Sequence, residues 1–248
     1  MELIYSSVNL DKLGYKNGFL TKKSPGNHLY HKDSHDYLSR TFAQKLFSDN
    51  NKLCLIEQVH GNKITLISAA QLLGQSSDII YWGQYDGMAT DQPGLTLAIQ
   101  TADCLPILLA HRSEPFIFAI HAGWRGVWGG IIEESIIHIT NKGFESKDFI
   151  AVIGPAIHQN SYQVDLPFYN NFCSKRKEAS RFFKNSQDGF FNFDLPGIAE
   201  YILNKSGIEV EIINYDTYSN PNLFYSYRLA QHQGSKEVKR NLSLISIN

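Results

Sequence analysis

Two stretches of the chain are apolar on both alternations of an extended backbone, LTLAIQT (95–101) and PFIFAIH (115–121), and PILLA (106–110) lies between them. A strand with one wet face alternates apolar and polar residues, so an unbroken apolar run marks a strand covered on both sides. These two strands are expected at the centre of the fold, with PILLA extending the first. The period changes after His121. Beyond AGWRGVWGG, residues Ile131, Ile132, Ser135, Ile136 and Ile139 share one helical stripe, and Gly143 supplies a stop. The order is strand, glycine-rich turn, helix.

The alternation continues in both directions. KLCLIEQVHGNKITLIS (52–68) sets two strand-like runs around the turn pair Gly61-Asn62 and leaves His60 at the end of the first. Downstream come a strand-like FIAVI (149–153), a turn at Gly154-Pro155, a short YQV run and a helix from Pro167 to about Phe183. A helix opened by Pro196 and closed by Gly207 follows, then a strand at EVEIINY and the aromatic segment NLFYSYR (222–228). Before residue 50, Leu38, Phe42 and Leu46 recur at helical spacing behind a possible Ser34 cap. Strands interleaved with helices predict the α/β class: mixed β-sheets with flanking helices in a single layered sandwich domain spanning residues 1–248.

Composition narrows the partners. The 23 basic and 24 acidic residues leave a net charge of −1, without the basic excess that duplex binding needs, so nucleic acid is not an expected partner. No apolar stretch approaches the ~20 residues of a membrane helix, and the N-terminus lacks a signal-peptide pattern. Three scattered cysteines do not form a disulfide framework. A soluble cytoplasmic protein is expected, acting as a monomer or weak homo-oligomer.

Three soft or borderline metal ligands then fall at strand ends: His60, Cys104 and His121. Two imidazoles and a thiolate suit Zn²⁺, and three protein ligands leave a fourth position open, as catalytic zinc sites do. The span from Cys104 to His121 fits a strand, a turn and a neighbouring strand, so these two can meet at one sheet edge. Asp103 stands beside Cys104 and is a candidate general acid or base, or a carboxylate that orients a ligand histidine. Taken singly, each of these residues reads as core or turn; the conjunction with glycine-rich turns after both histidines carries the metal reading. A metal-free alternative makes Cys104 a thiolate nucleophile with His121 as its base, which would not need His60.

HAGWRG adds a second feature. Glycines before a helix and the Arg125 guanidinium form a candidate anion pocket at a helix N-terminus, with phosphate the expected anion. Tyr227 and Arg228, near Phe224 and Tyr225, offer aromatic faces and a cation to a planar base, and Tyr162 marks a strand-to-turn edge. His28, His31 and His35 read as solvated, as does the basic run Lys175, Arg176, Lys177.

As a set, QVHG (58–61), DGMATDQPG (86–94), TADCLPILL (101–109), HAGWRG (121–126), IGPAI (153–157) and FYSYR (224–228) resemble the YfiH-like family. That family was first described as multicopper polyphenol oxidases, or laccase-domain proteins, and later as purine nucleoside phosphorylases. The resemblance runs from about residue 50 to the C-terminus. It implies His60, Cys104 and His121 as ligands of a catalytic zinc, with copper as the other metal. It also implies a purine nucleoside and phosphate as substrates, for which Trp124, Arg125, Tyr227 and Arg228 are the expected contacts, although each taken singly reads as packing. The implied activities are phosphorolysis of adenosine, inosine and methylthioadenosine, adenosine deamination, a copper-dependent phenol oxidation and a role in peptidoglycan precursor editing. Phosphorolysis would use phosphate held at Arg125 to attack C1′, and deamination would use activated water with Asp103 as proton carrier. Oxygen reduction by a laccase needs several coppers and more histidines than this trio supplies. The chain departs from the family where cysteines often stand, carrying Asn160-Ser161 and Asp216, and it replaces a late threonine-glycine-arginine with Gln233-Gly234-Ser235, although Arg240 lies close by.

Overall fold

A computed structural model describes residues 4–24, 51–235 and 239–247. The helix expected behind Ser34 and the histidines His28, His31 and His35 lie outside the described residues. One six-stranded sheet runs in the order β1 (Ile4–Tyr5), β2 (Lys16–Leu20), β15 (Asn241–Ser246), β7 (Leu95–Thr101), β3 (Lys52–Glu57), β5 (Ile79–Gln84). The second runs β14 (Glu209–Ile212), β10 (Phe149–Ile153), β8 (Leu105–His111), β9 (Ile117–Ala122), β6 (Gly87–Thr90), β4 (Ile64–Ile67). Both are mixed: β3 is parallel to β5 and β7, while β15 is antiparallel to β2 and β7. A small third sheet, β11 (Gln163–Asp165), β13 (Phe190–Phe193), β12 (Phe183–Asn185), extends from the second half of the chain.

The doubly apolar strands explain the layering. Along β8 every residue is buried, and successive side chains serve different cores. Leu108 and Ala110 pack with Leu97, Ile99, Ile117, Ala119, Ile150, Val152 and Ile245 between the two large sheets. Ile107 and Leu109 join Phe118, Ile120, Ala151 and Ile153 against the helices Ile131–Asn141 and Leu195–Lys205. Each of the larger aliphatic and aromatic side chains contributes about 1.5–3 kcal/mol on burial, so a polar residue on either alternation would cost one of the two layers. The helix Ile131–Asn141 buries Ile131, Ile132, Ser135 and Ile139, the stripe its spacing predicts.

PILLA does not extend the strand before it. The chain bends at residues 102–104, where Asp103 has a φ of 85°, and β7 and β8 lie in different sheets. The helix expected to reach Phe183 ends at Lys175, and a 3₁₀ segment, Lys177–Phe182, follows. Arg176, at the break, is not a solvated cation: its side chain is 10% exposed and donates to Glu133 Oε1 at 2.7 Å. Lys175 lies over the Trp128 ring, 4.4 Å from its centre. Among the described residues, no helix is long and apolar enough to cross a membrane.

Candidate metal centre and substrate cavity

The β8–β9 hairpin brings the thiol and one imidazole together. Its antiparallel register pairs Pro106 with His121 and Leu105 with Ala122, so Cys104, one residue before β8, abuts the end of β9. His60 arrives from the loop between β3 and β4, and its ring meets that of His121 edge-on, with centres 4.8 Å apart. One donor atom from each of His60, Cys104 and His121 lies within 4.8 Å of the others. Tetrahedral zinc sets nitrogen and sulfur donors about 3.5 Å apart, so the trio fits a zinc-sized ion with small side-chain adjustments. Among the described residues, no other group of three histidine, cysteine or carboxylate side chains could hold a metal.

The orienting carboxylate is Asp86, not Asp103. Asp86 is fully buried at the start of β6, and its Oδ1 lies 2.8 Å from His121 Nδ1. The same carboxylate accepts the His60 N–H at 2.9 Å and the Gly61 N–H at 2.6 Å. One side chain therefore ties both histidine-bearing segments together and leaves His121 Nε2 facing the other ligands. Desolvation pushes Asp86 up, but these hydrogen bonds and the His121 charge prevail and hold it below the usual carboxylate range. Sequence reasoning gave Asp86 no role, because an Asp-Gly pair reads as a turn. The available signal was chemical: a ligand histidine needs an acceptor for its second ring nitrogen.

Close approach explains the glycines of HAGWRG. A Cβ at Gly123 would stand 2.9 Å from Cys104 Sγ and 3.3 Å from a His60 ring carbon, and one at Gly126 would stand 3.0 Å from the Gly61 carbonyl oxygen. The helix that follows is only Trp124–Gly129, broken at Gly130. A helix this short makes a weak dipole, so the anion affinity expected of this turn falls to the Arg125 guanidinium. Two non-glycine residues among those described have positive φ, His60 at 59° and Asp103 at 85°. Both lie at the centre, where backbone strain is held by surrounding bonds.

Electrostatics set the state of the trio. Burial raises the Cys104 thiol, but the charges and hydrogen bonds of His121 and His60 outweigh it and bring it down to about 6. Burial opposes charge on His121, yet Cys104 and Asp86 raise it to about 9. The thiol is thus poised as a thiolate, the form that binds metal.

A cavity of about 790 Å³ opens over these groups and is lined by His60, Asp103, Cys104, His121, Trp124, Arg125, Tyr162, Tyr227, Arg228 and Arg240, among others. The expected metal ligands and the residues Asp103, Trp124, Arg125, Tyr227 and Arg228 thus reach one cavity, whereas Phe224 is packed against Tyr5 and Tyr215. Asp103 lines the cavity with both carboxylate oxygens engaged. Its Oδ1 accepts the Thr217 hydroxyl and its Oδ2 the Arg228 N–H, each at 2.6 Å, so both oxygens face inward donors. Desolvation raises its pKa, partly offset by Arg228, Thr217 and Ser226. Its main-chain carbonyl also accepts the Ile157 N–H at 3.0 Å. Asp103 is placed as a brace between the Cys104 turn and the segment carrying Arg228. Arg228 Nη1 donates to the Gln163 carbonyl at 2.8 Å, and Arg125 lies on the Trp124 ring, 4.3 Å from its centre. The two departures from the family's cysteines face each other, with the Ser161 hydroxyl donating to Asp216 Oδ2 at 2.6 Å.

Two packed mixed sheets with flanking helices, and soft donors gathered under a guanidinium-lined cavity, define a layered α/β protein with a candidate metal centre. The chain belongs to the multi-copper polyphenol oxidoreductase laccase family, the YfiH-like proteins, whose model matches residues 33–248. A purine nucleoside phosphorylase of Rickettsia prowazekii is 35% identical over 228 residues, covering 89% of this chain and 91% of that protein. Purine nucleoside phosphorylase YfiH of Escherichia coli is 29% identical over 201 residues, 79% of this chain and 77% of the relative. Among solved structures, the Neisseria meningitidis protein NMB0706 superposes with a TM-score of 0.81 at 23% identity over the whole of both chains. The YfiH protein of Bacillus licheniformis gives 0.81 at 24% identity, over 95% of this chain and 93% of its own. At these identities the structures attest the fold.

Proposed function

We propose that this chain is a zinc-dependent purine nucleoside phosphorylase that accepts adenosine, inosine and methylthioadenosine and deaminates adenosine at the same centre. The observation that carries the reading is the convergence of His60, Cys104 and His121 within 4.8 Å beneath a cavity that also holds Arg125 and Arg228. Relatives that share a third of the sequence are named purine nucleoside phosphorylases, which supports the reaction class. His60, Cys104 and His121 would hold the zinc, which would supply Lewis acidity when bound.

The protein's own groups do the rest. Asp86 keeps the His121 proton on Nδ1, so Nε2 stays available as a ligand. Arg125 carries positive charge at the cavity wall beside the trio and is the residue assigned to phosphate, whose oxygen attacks C1′ as the purine leaves with the bonding pair. Asp103 fixes the main chain of Arg228 and so the second guanidinium. Trp124 and Tyr227 supply aromatic walls for the nucleoside. Copper-dependent phenol oxidation fits less well, since multicopper oxygen reduction needs ligand sets beyond this one trio.

A second reading rests on the depressed thiol: without metal, Cys104 and His121 form a thiolate–imidazolium pair suited to a cysteine hydrolase or deamidase. One assay separates the two. Free base and pentose 1-phosphate are measured from each nucleoside with phosphate present or omitted, on wild type and His60→Ala. Phosphate-dependent base release that is lost with His60 is expected, together with inosine formed from adenosine when phosphate is omitted. Full turnover by a zinc-free sample would overturn the metal reading in favour of the thiolate.

A further inference from the structure

We infer that the phenolic hydroxyl of Tyr162 is a phosphate donor, completing with Arg125 and Arg228 the cradle for the attacking oxyanion; this rests on the phosphorylase reading of the cavity. Tyr162 lines the cavity with those two arginines and Cys104. Its main chain is pinned on both sides, the N–H donating to Gln159 and the carbonyl accepting from Phe193. Its ring is wedged against Phe193 and Phe168, with centres 5.7 Å and 6.4 Å away, and the Arg228 guanidinium lies 5.3 Å from the ring centre. A ring held on three sides has little freedom, so the direction of its hydroxyl is set by the fold.

Among the described residues, no hydrogen bond to that hydroxyl is found, and Tyr162 is partly exposed where it lines the cavity. A hydroxyl that faces a cavity and spends its proton on no protein acceptor is free to donate to a ligand there. Cys104, Asp103, Arg125 and Arg228 line the same cavity as the Tyr162 ring. A phenol is protonated at neutral pH and offers its O–H as a donor. A neutral donor sharing a cavity with two guanidiniums matches an oxyanion better than a purine edge, which offers acceptors and donors together.

The test uses the full-length, metal-loaded protein and inorganic phosphate. Tyr162→Phe removes one oxygen and keeps the ring packing. Calorimetric titration is expected to show phosphate bound about 10- to 100-fold more weakly by the variant, the loss of one hydrogen bond to a charged acceptor. In turnover, KM for phosphate should rise by a similar factor while KM for the nucleoside changes less than twofold. Equal phosphate affinity in both proteins overturns the inference, as does a rise confined to the nucleoside KM or a wild type that binds no phosphate. Should the wild type bind phosphate but release no base, the phosphorylase reading fails while the calorimetric comparison still judges Tyr162. If Tyr162→Phe does not fold, wild type carrying 3-fluorotyrosine replaces it. A fluorine resonance that shifts on phosphate saturation is then expected, and the absence of any shift refutes the role.

Discussion

Replacing Asp86 by Asn tests whether one buried carboxylate organises the metal centre. The native oxygens accept three bonds, at 2.8 Å from the His121 ring and at 2.9 and 2.6 Å from the His60 and Gly61 amides. Asparagine has one oxygen. If that oxygen stays on the His121 side, the new NH₂ faces the Gly61 N–H, so one bond to a charged acceptor is lost, costing about 1.5–3 kcal/mol. If the amide flips, two bonds are lost and an N–H faces His121 Nδ1, driving the ring proton to Nε2, the nitrogen the ligand set needs. Either way the charge that steadies the imidazole is gone. The melting temperature should fall by about 3–12 °C for a chain of this size. Zinc affinity, read by competition with a chromophoric chelator, should fall about 10- to 100-fold, the usual cost of losing a ligand's supporting carboxylate. Zinc affinity and melting both within error of wild type would refute the role given to Asp86.

Gly123→Ala places a Cβ 2.9 Å from Cys104 Sγ and should lower zinc content at least tenfold while the far-UV circular dichroism stays native. Asp103→Asn removes the acceptor for one inward donor and should destabilise the fold by about 1–3 kcal/mol in urea unfolding. As a brace its loss should reduce kcat well short of the ~10²–10⁴-fold that a lost proton carrier costs, so a larger drop would restore the proton-carrier role. Leu108→Ala, in the layer between the sheets, should cost about 2–5 kcal/mol by denaturant titration. Burial pushes the Cys54 thiol up to about 11, so at pH 8 it stays protonated and should resist iodoacetamide until the protein is unfolded.

Much of the layered fold was legible because β7, β8 and β9 serve two cores at once and carry apolar residues on both alternations. The helix Ile131–Asn141 was legible for the converse reason, a single buried stripe. The bend at Asp103 was not, since a carboxylate in positive φ is held by Thr217 and Arg228, more than a hundred residues away. Strand β15 escaped notice because its serines, Ser243 and Ser246, are buried rather than wet, and β6 because Gly87 disguises it as a turn. At the site, His60, Cys104 and His121 could be grouped from ligand chemistry and strand ends. Asp86 and the brace role of Asp103 could not, as each is defined by hydrogen bonds between segments distant in sequence.

The account turns on one ion shared by His60, Cys104 and His121, and elemental analysis of protein purified without added metal tests it most directly. About one zinc per chain is expected in wild type, with less than a tenth of that in His60→Ala, Cys104→Ala and His121→Ala, all three still folded by circular dichroism. Wild-type protein that carries no metal yet cleaves nucleosides at full rate, or a His60→Ala variant that keeps its zinc, would contradict it.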